Sequence, residues 1–107
     1  MRTLVGLTIM AALGATAAEA QTARLSDGAY IRAARCVALA SSGKLGATDA
    51  DAMKAWLKDQ STLRDAYVLD KADRMQQEAK REVNSAGEQG KARLSAELNG
   101  PCAALKS

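Results

Sequence analysis

Residues 63–86 read LRDAYVLDKADRMQQEAKREVNSA and contain neither glycine nor proline. Apolar side chains recur in this stretch at intervals of three and four positions: Val68, Ala72, Met75, Ala79, Val83 and Ala86. Such intervals are typical of a helix with one narrow apolar face. Because small residues form most of that face, a second helix can lie close against it. The stretch therefore predicts a long amphipathic helix that packs on a partner helix.

The remaining faces of the predicted 63–86 helix are polar. Asp70, Arg74 and Glu78 follow one another at intervals of four with alternating charge, which stabilises a helix by roughly 0.2–0.5 kcal/mol per pair. Arg81 extends this polar face. We predict that Asp70, Arg74, Glu78 and Arg81 form a face that binds another protein.

A first helix is predicted over residues 26–42, where Ser26 or Asp27 is suited to cap its start. When the residues are placed at 100° each, the apolar side chains cover an arc of about 240°. A helix with so broad an apolar arc is mostly buried. We therefore expect this helix at the centre of the fold, with the 63–86 helix packed on it.

A second helix is predicted to begin at Thr48-Asp49-Ala50-Asp51, which resembles a capping box with Asp in place of the usual Glu. Met53 and Trp56 share its apolar face, so we expect the Trp56 side chain in the core. The pattern leaves open whether residues 49–60 and 62–86 form one continuous helix or two.

The last part of the chain predicts a final helix that starts after the weak point at Gly87 and Gly90. Leu94, Leu98, Cys102 and Leu105 would lie on one face of this helix. Pro101 interrupts the pattern, because proline is tolerated at the first position of a helix but not inside one. We expect Pro101 to open a short terminal turn that directs Cys102 inward, and leave open whether the helix continues through it.

The sequence predicts an all-α fold, a small antiparallel bundle of three or four helices with one disulfide. No run of alternating apolar and polar residues of strand length occurs, the chain has no Phe, and β-branched residues are sparse. Residues 1–20 are predicted to be a cleaved signal peptide, and residues 21–107 a single helical domain. A domain of that length has a marginal core, so a covalent link contributes a large share of its stability.

Cys36 and Cys102 are the only cysteines. An exported protein meets an oxidising compartment, where an even number of cysteines predicts pairing. The bond would close a loop of about 66 residues and stabilise the fold by at most roughly 4 kcal/mol. The alternatives are a redox-active pair, which more often has the Cys-x-x-Cys spacing, and a bond between two chains.

The N-terminal segment has the pattern of a bacterial secretory signal peptide. Met1 and Arg2 form a short positive region, and residues 4–18 carry no charge. An uncleaved membrane anchor is the alternative, but a spanning helix needs about 20 apolar residues and this run is shorter. We expect export to the periplasm or secretion, with no stable membrane insertion after cleavage.

The cleavage site is predicted between Ala20 and Gln21. Ala18 and Ala20 are small residues at the two positions that signal peptidase reads. Ala15-Thr16-Ala17 offers a second acceptable site. No cysteine lies near either site, so there is no acceptor for lipid attachment.

The residue types that most enzymes need are missing. The chain has no His, which removes Ser-His and Cys-His nucleophiles and every His-containing metal site. Asp49 and Asp51 superficially open a calcium loop, but Met53 falls where an oxygen ligand belongs. Asp70 and Asp73 share a helix face with nearby Lys and Arg, so we interpret them as a solvated surface. We expect no catalytic residue, metal or cofactor.

Nucleic-acid binding is also not expected. Its basic candidates, Arg32 with Arg35 and Lys80 with Arg81, are interspersed with acids, and only three aromatic residues are present in a chain of net charge +3.

The predicted function is therefore that of a non-enzymatic exported protein that binds a protein partner through an exposed helix face or the polar 70–82 segment. A stress-related, chaperone-like role is the alternative, since a marginal core held by one disulfide would loosen at low pH and expose its apolar face to unfolding proteins. In size and cysteine count alone, the chain resembles small periplasmic acid-stress chaperones and small periplasmic immunity proteins. A thiol-disulfide enzyme is a third hypothesis. The identity of the partner and the oligomeric state are left open.

Overall fold

A computed structural model describes residues 24–46 and 49–105 of the chain. The predicted signal peptide and its cleavage site between Ala20 and Gln21 lie outside these residues. Within them the chain is all-helical and contains no strand. The all-α prediction is confirmed, and none of the described helices is long and apolar enough to span a membrane.

The described residues form four helices of twelve residues or more and one terminal turn of helix. Their bounds are α1 Asp27–Ser41, α2 Ala50–Ser61, α3 Ala66–Ser85, α4 Glu88–Asn99 and α5 Pro101–Leu105. Helix α1 packs against each of the other four, most extensively against α3. The expected arrangement, with the first helix central and the long helix packed on it, is confirmed.

Ser26 fixes the start of α1, where its side chain accepts a hydrogen bond from the Ala29 backbone N–H at 3.1 Å. This bond satisfies one of the amide groups that have no partner inside the helix. Nine residues of α1 are buried, five of them alanines. Small side chains along α1 let the neighbouring helices approach closely. Helix α1 can therefore pack against all of the other helices.

The apolar face predicted for the long helix is the face that α3 buries. Val68, Ala72, Ala79 and Val83 are buried, while Met75 and Ala86 at its edges are half-buried. Ala79 has no exposed surface. The narrow apolar face therefore lies against α1, and the polar faces of α3 lie outside.

Helices α2 and α3 are separate, which settles the question that the sequence left open. The chain turns between Ser61 and Ala66, and Leu63 in this turn has φ +68°. That value lies in the left-handed region, which costs a residue other than glycine about 1–2 kcal/mol. The surrounding contacts, described below, hold the turn in place.

Two expectations for the helices are corrected. Helix α4 begins at Glu88 and runs through Gly90 instead of starting after it. A Cβ atom at position 90 would lie 2.9 Å from the Cβ of Ala86, so glycine permits a close approach here and does not end the helix. Trp56 is half-buried, so Met53 is the only buried residue of α2.

The disulfide joins Cys36 of α1 to Cys102 of α5, with the two Cα atoms 5.7 Å apart. Pro101 is the first residue of α5, so the helix does not continue through it. Cys36 and Cys102 are both buried, in one cluster with Val83, Leu94 and Leu98. The predicted intramolecular bond is confirmed, and it holds the end of the chain against the central helix.

Candidate functional site

Arg64 anchors the turn between α2 and α3. Its side chain is only 1% exposed, and it donates hydrogen bonds to the backbone oxygens of Leu25 at 2.8 Å and Gln60 at 2.7 Å. It also forms an ion pair with Asp27 at 2.8 Å. A guanidinium group presents five N–H donors in a fixed geometry, so one buried side chain joins the entrance of α1 to the end of α2.

Tyr30 of α1 provides the apolar side of this anchor. The Arg64 Cζ lies 4.5 Å from the centroid of the Tyr30 ring, a distance at which a cation is attracted to the ring. Burial raises the pKa of the Tyr30 hydroxyl, while the positive charge of Arg64 acts in the opposite direction. The hydroxyl is therefore neutral at neutral pH.

The contacts of Arg64 fix the turn so that the neighbouring Leu63 side chain points into solvent. Its side chain and backbone are 87% exposed, and its carbonyl accepts a hydrogen bond from Arg24 at 3.2 Å. A large apolar side chain in a strained conformation persists only where the surrounding structure fixes it. Strain of this kind clusters at functional sites, so Leu63 is a candidate contact residue.

Tyr67 is the second large apolar side chain at the start of α3, and it is 69% exposed. Lys71 lies over its ring, with Nζ 5.6 Å from the centroid. We call Leu63 and Tyr67 the apolar tip. Neither was among the predicted site residues. The sequence did contain a signal for Tyr67, since it is an aromatic residue among the charged residues of a helix. A helix face that only contacts water rarely carries an aromatic side chain.

The face predicted from the sequence continues from the apolar tip along α3. Asp70, Arg74, Glu78 and Arg81 are all exposed, and their intervals of three and four positions place them on one side of the helix. Arg74 and Asp70 form an ion pair at 2.7 Å. We call these four residues together with the apolar tip the α3 surface.

Arg35 fixes the position of α3 relative to α1 and α4. Its guanidinium binds both oxygens of Glu82 on α3, at 2.7 and 3.1 Å, and both oxygens of Glu97 on α4, at 2.7 and 3.0 Å. The hydrogen bonds that Arg35 donates to Glu97 and Glu82 raise the pKa of Arg35, and the bond from Arg35 lowers the pKa of Glu82. From the sequence, Arg35 was considered only with Arg32, as a basic candidate for nucleic-acid binding, so this cluster was missed.

The described residues contain no group of three or more His, Cys, Asp or Glu that is able to hold a metal ion. Asp51 lies in the first turn of α2, where negative charge is favourable. Asp70 and Asp73 are exposed on α3, and Asp70 is paired with Arg74.

The fold and the α3 surface define a class of protein: a small helical bundle closed by one disulfide, with an exposed apolar tip beside a charged helix face. Comparison of the chain with protein-family models, with curated proteins and with solved structures finds no match in any of the three.

Proposed function

We propose that this chain is a non-enzymatic exported protein that binds another protein through the α3 surface. The observation that carries the proposal is the exposure of Leu63 and Tyr67, at 87% and 69%. Contiguous apolar patches rimmed by polar residues mark interaction sites, and we propose that Leu63 and Tyr67 form such a patch. Arg64 holds the turn in a defined shape before any partner arrives, which reduces the entropy lost on binding.

The chemistry of the α3 surface specifies the partner. Tyr is among the residues that dominate binding energy at interfaces, and leucine and tyrosine side chains need an apolar pocket that excludes water. The alternating charges of Asp70, Arg74, Glu78 and Arg81 need the complementary order on the partner. We therefore expect a folded protein whose apolar pocket is flanked by charged groups of both signs.

Location outside the cytoplasm is part of the proposal. The signal-peptide pattern of residues 1–20 supports export, and the disulfide is compatible with it, because such bonds persist in oxidising compartments. The partner would then be sought in the periplasm or among secreted proteins. A thiol-disulfide function is disfavoured, since Cys36 and Cys102 are 5% and 2% exposed and an attacking thiolate needs access.

A chaperone-like function is the second candidate, and the Arg35 cluster favours it. Protonation of Glu82 in strong acid would weaken the contact of α3 with α1 and allow the apolar face of α3 to open. Binding of a hydrophobic dye and protection of an unfolding client protein at about pH 3 would then increase together. A protein that shows neither, and keeps its helices at that pH, does not have this function.

Site-specific photo-crosslinking tests the protein-binding proposal. A benzophenone amino acid replaces Leu63 or Tyr67 in an exporting host, and Gln89, exposed on α4, is the control position. We expect one discrete adduct of the same mass from positions 63 and 67, and none from position 89. No adduct from either test position, or the same adducts from all three, would overturn the proposal.

A further inference from the structure

A pocket of about 300 Å³ lies where α5 meets α1, with residues of α3 and α4 at its sides. Its apolar lining includes Met75 of α3 and Pro101 and Leu105 of α5. These three side chains keep part of their surface in water, since Pro101 is exposed and Met75 and Leu105 are half-buried. The pocket therefore has apolar surface that a binding partner can still remove from water, which is favourable.

The charged residues at this pocket are Arg32, Arg35 and Glu97. Arg35 and Glu97 bind each other at 2.7 Å, and the Glu97 side chain remains 30% exposed. Arg32 is exposed and forms no ion pair among the described residues. Beside its apolar lining, the pocket thus offers one positive charge without a counter-charge and one partly accessible carboxylate.

The apolar tip carries the matching groups. Asp65 lies between Leu63 and Tyr67 in the chain and is exposed. Its side chain makes no capping hydrogen bond and, among the described residues, no ion pair. Lys71 lies over the Tyr67 ring. The tip and the pocket therefore each combine apolar side chains with one charge of each sign, which is the chemistry expected of a partner for the α3 surface.

The tip of a chain does not reach the pocket of the same chain. Tyr67 and Met75 are eight positions apart within α3, which corresponds to about 12 Å along the helix axis. The buried Arg64 fixes the turn that carries Leu63, so the tip does not fold back along α3. A contact between the tip and the pocket therefore joins two copies of the chain.

We infer that the apolar tip of one copy of this chain binds in the pocket of a second copy. The tip covers the apolar lining of the pocket, Asp65 pairs with Arg32, and Lys71 pairs with Glu97. One such contact leaves a free pocket on the first copy and a free tip on the second, so these contacts build rings or open chains. The inference rests on the proposed function, because it names the partner of the α3 surface.

Sedimentation velocity of the disulfide-bonded protein purified from an exporting host tests the inference. The contact involves few side chains, and small interfaces are weak. We expect the average mass to rise with protein concentration between about 1 µM and 1 mM. A protein that remains a monomer over this whole range would contradict the inference.

Two variants separate the role of the tip from that of the pocket. Leu63→Gly/Tyr67→Ser removes the tip, and Arg32→Glu/Leu105→Gln alters the pocket. The four side chains are exposed or half-buried, so the fold is expected to persist, and circular dichroism checks this. We expect each variant alone to associate at least about tenfold more weakly than the wild type.

The control variant is Lys54→Glu/Leu69→Ala. It reverses one exposed charge and shortens one exposed leucine outside both surfaces, and it should associate as the wild type does. Equal weakening in the control and in the two test variants would show that the association does not depend on the tip and the pocket.

An equal mixture of the tip variant and the pocket variant gives the sharpest result. The pocket variant keeps an intact tip and the tip variant keeps an intact pocket, so the mixture should recover association. The product should be a one-to-one complex that grows no further, since neither variant carries both surfaces. A mixture that associates no better than either variant alone would overturn the inference.

The photo-crosslinked adduct distinguishes failure of this inference from failure of the proposed function. An adduct from positions 63 and 67 with twice the mass of the exported chain supports the second copy as partner. An adduct with a different protein would overturn this inference and leave the proposed function in place. No adduct from either position would overturn both.

Discussion

The guanidinium group of Arg64 lies over the ring of Tyr30, with its Cζ 4.5 Å from the ring centroid. This contact joins the start of the long helix to the buried side of the central helix, and it is buried although it carries a full charge. Because Leu63 precedes Arg64 in the chain, the same contact sets the direction of the exposed Leu63. A buried charged anchor is thus adjacent to the most exposed large apolar side chain among the described residues.

Substitution Arg64→Lys should lower the free energy of unfolding by about 2–3 kcal/mol. Lysine keeps the charge but cannot reproduce the fixed donor geometry of the guanidinium, so a part-buried carbonyl of Leu25 or Gln60 loses its partner. Urea unfolding followed by circular dichroism measures the change. Arg74→Lys is the matched control on an exposed ion pair, and about 0.5 kcal/mol or less is expected there. Equal effects of the two substitutions would contradict the anchoring role of Arg64.

The double variant Cys36→Ala/Cys102→Ala should be less stable by roughly 4 kcal/mol, since the bond closes a loop of 66 positions in the unfolded chain. Thermal unfolding of the variant and of the fully reduced wild type should give similar midpoints, both below that of the oxidised protein. Reduction of the bond by mild reductant in the folded state would instead support a redox function.

Acid should destabilise the fold through Glu82. The bond to Arg35 lowers the pKa of Glu82 below its usual value of 4.5. Its stabilising contribution is therefore complete above that usual value and is lost as the pH falls through the lower pKa of the folded state. Urea unfolding from about pH 6 to about pH 3 should show this loss, and Glu82→Gln should reduce it.

Glu78→Gln is the control for Glu82→Gln, because it removes one exposed carboxylate from the same helix. A loss of stability in acid that is as large in Glu82→Gln as in the wild type would show that other groups govern the pH dependence.

Export should give a product that begins at Gln21 and is two hydrogens lighter than the dithiol form. Intact-mass measurement of protein recovered from the periplasm or the medium checks both points. A lysine at position 20 should block cleavage at this site, because signal peptidase accepts only small residues there. A retained N-terminus in the wild-type product would contradict the predicted signal peptide.

Most of the fold could be predicted because the spacing of apolar residues along a helix indicates which side of the helix is buried. The intervals of three and four from Val68 to Val83 identified the buried side of α3, and an even cysteine count identified the pair Cys36–Cys102. Gly90 was misread because glycine weakens a helix in general, whereas here its missing side chain permits contact with Ala86.

The candidate site was predictable only in part. Alternating charge identified Asp70, Arg74, Glu78 and Arg81 as a surface, but it did not reveal Leu63 or Tyr67 at its end. The position of Leu63 depends on contacts of Arg64 with residues more than 30 positions away, and no local pattern encodes such contacts.

The affinity of the Leu63→Gly variant for the protein captured by photo-crosslinking tests the central claim most directly. Glycine suits the left-handed backbone at position 63, so stability should stay unchanged or rise by up to about 1 kcal/mol, while the exposed side chain is removed. We expect affinity to fall by about tenfold or more, and Leu69→Ala, an exposed leucine outside the α3 surface, to bind as the wild type does. Wild-type affinity of Leu63→Gly would contradict a binding role for the apolar tip.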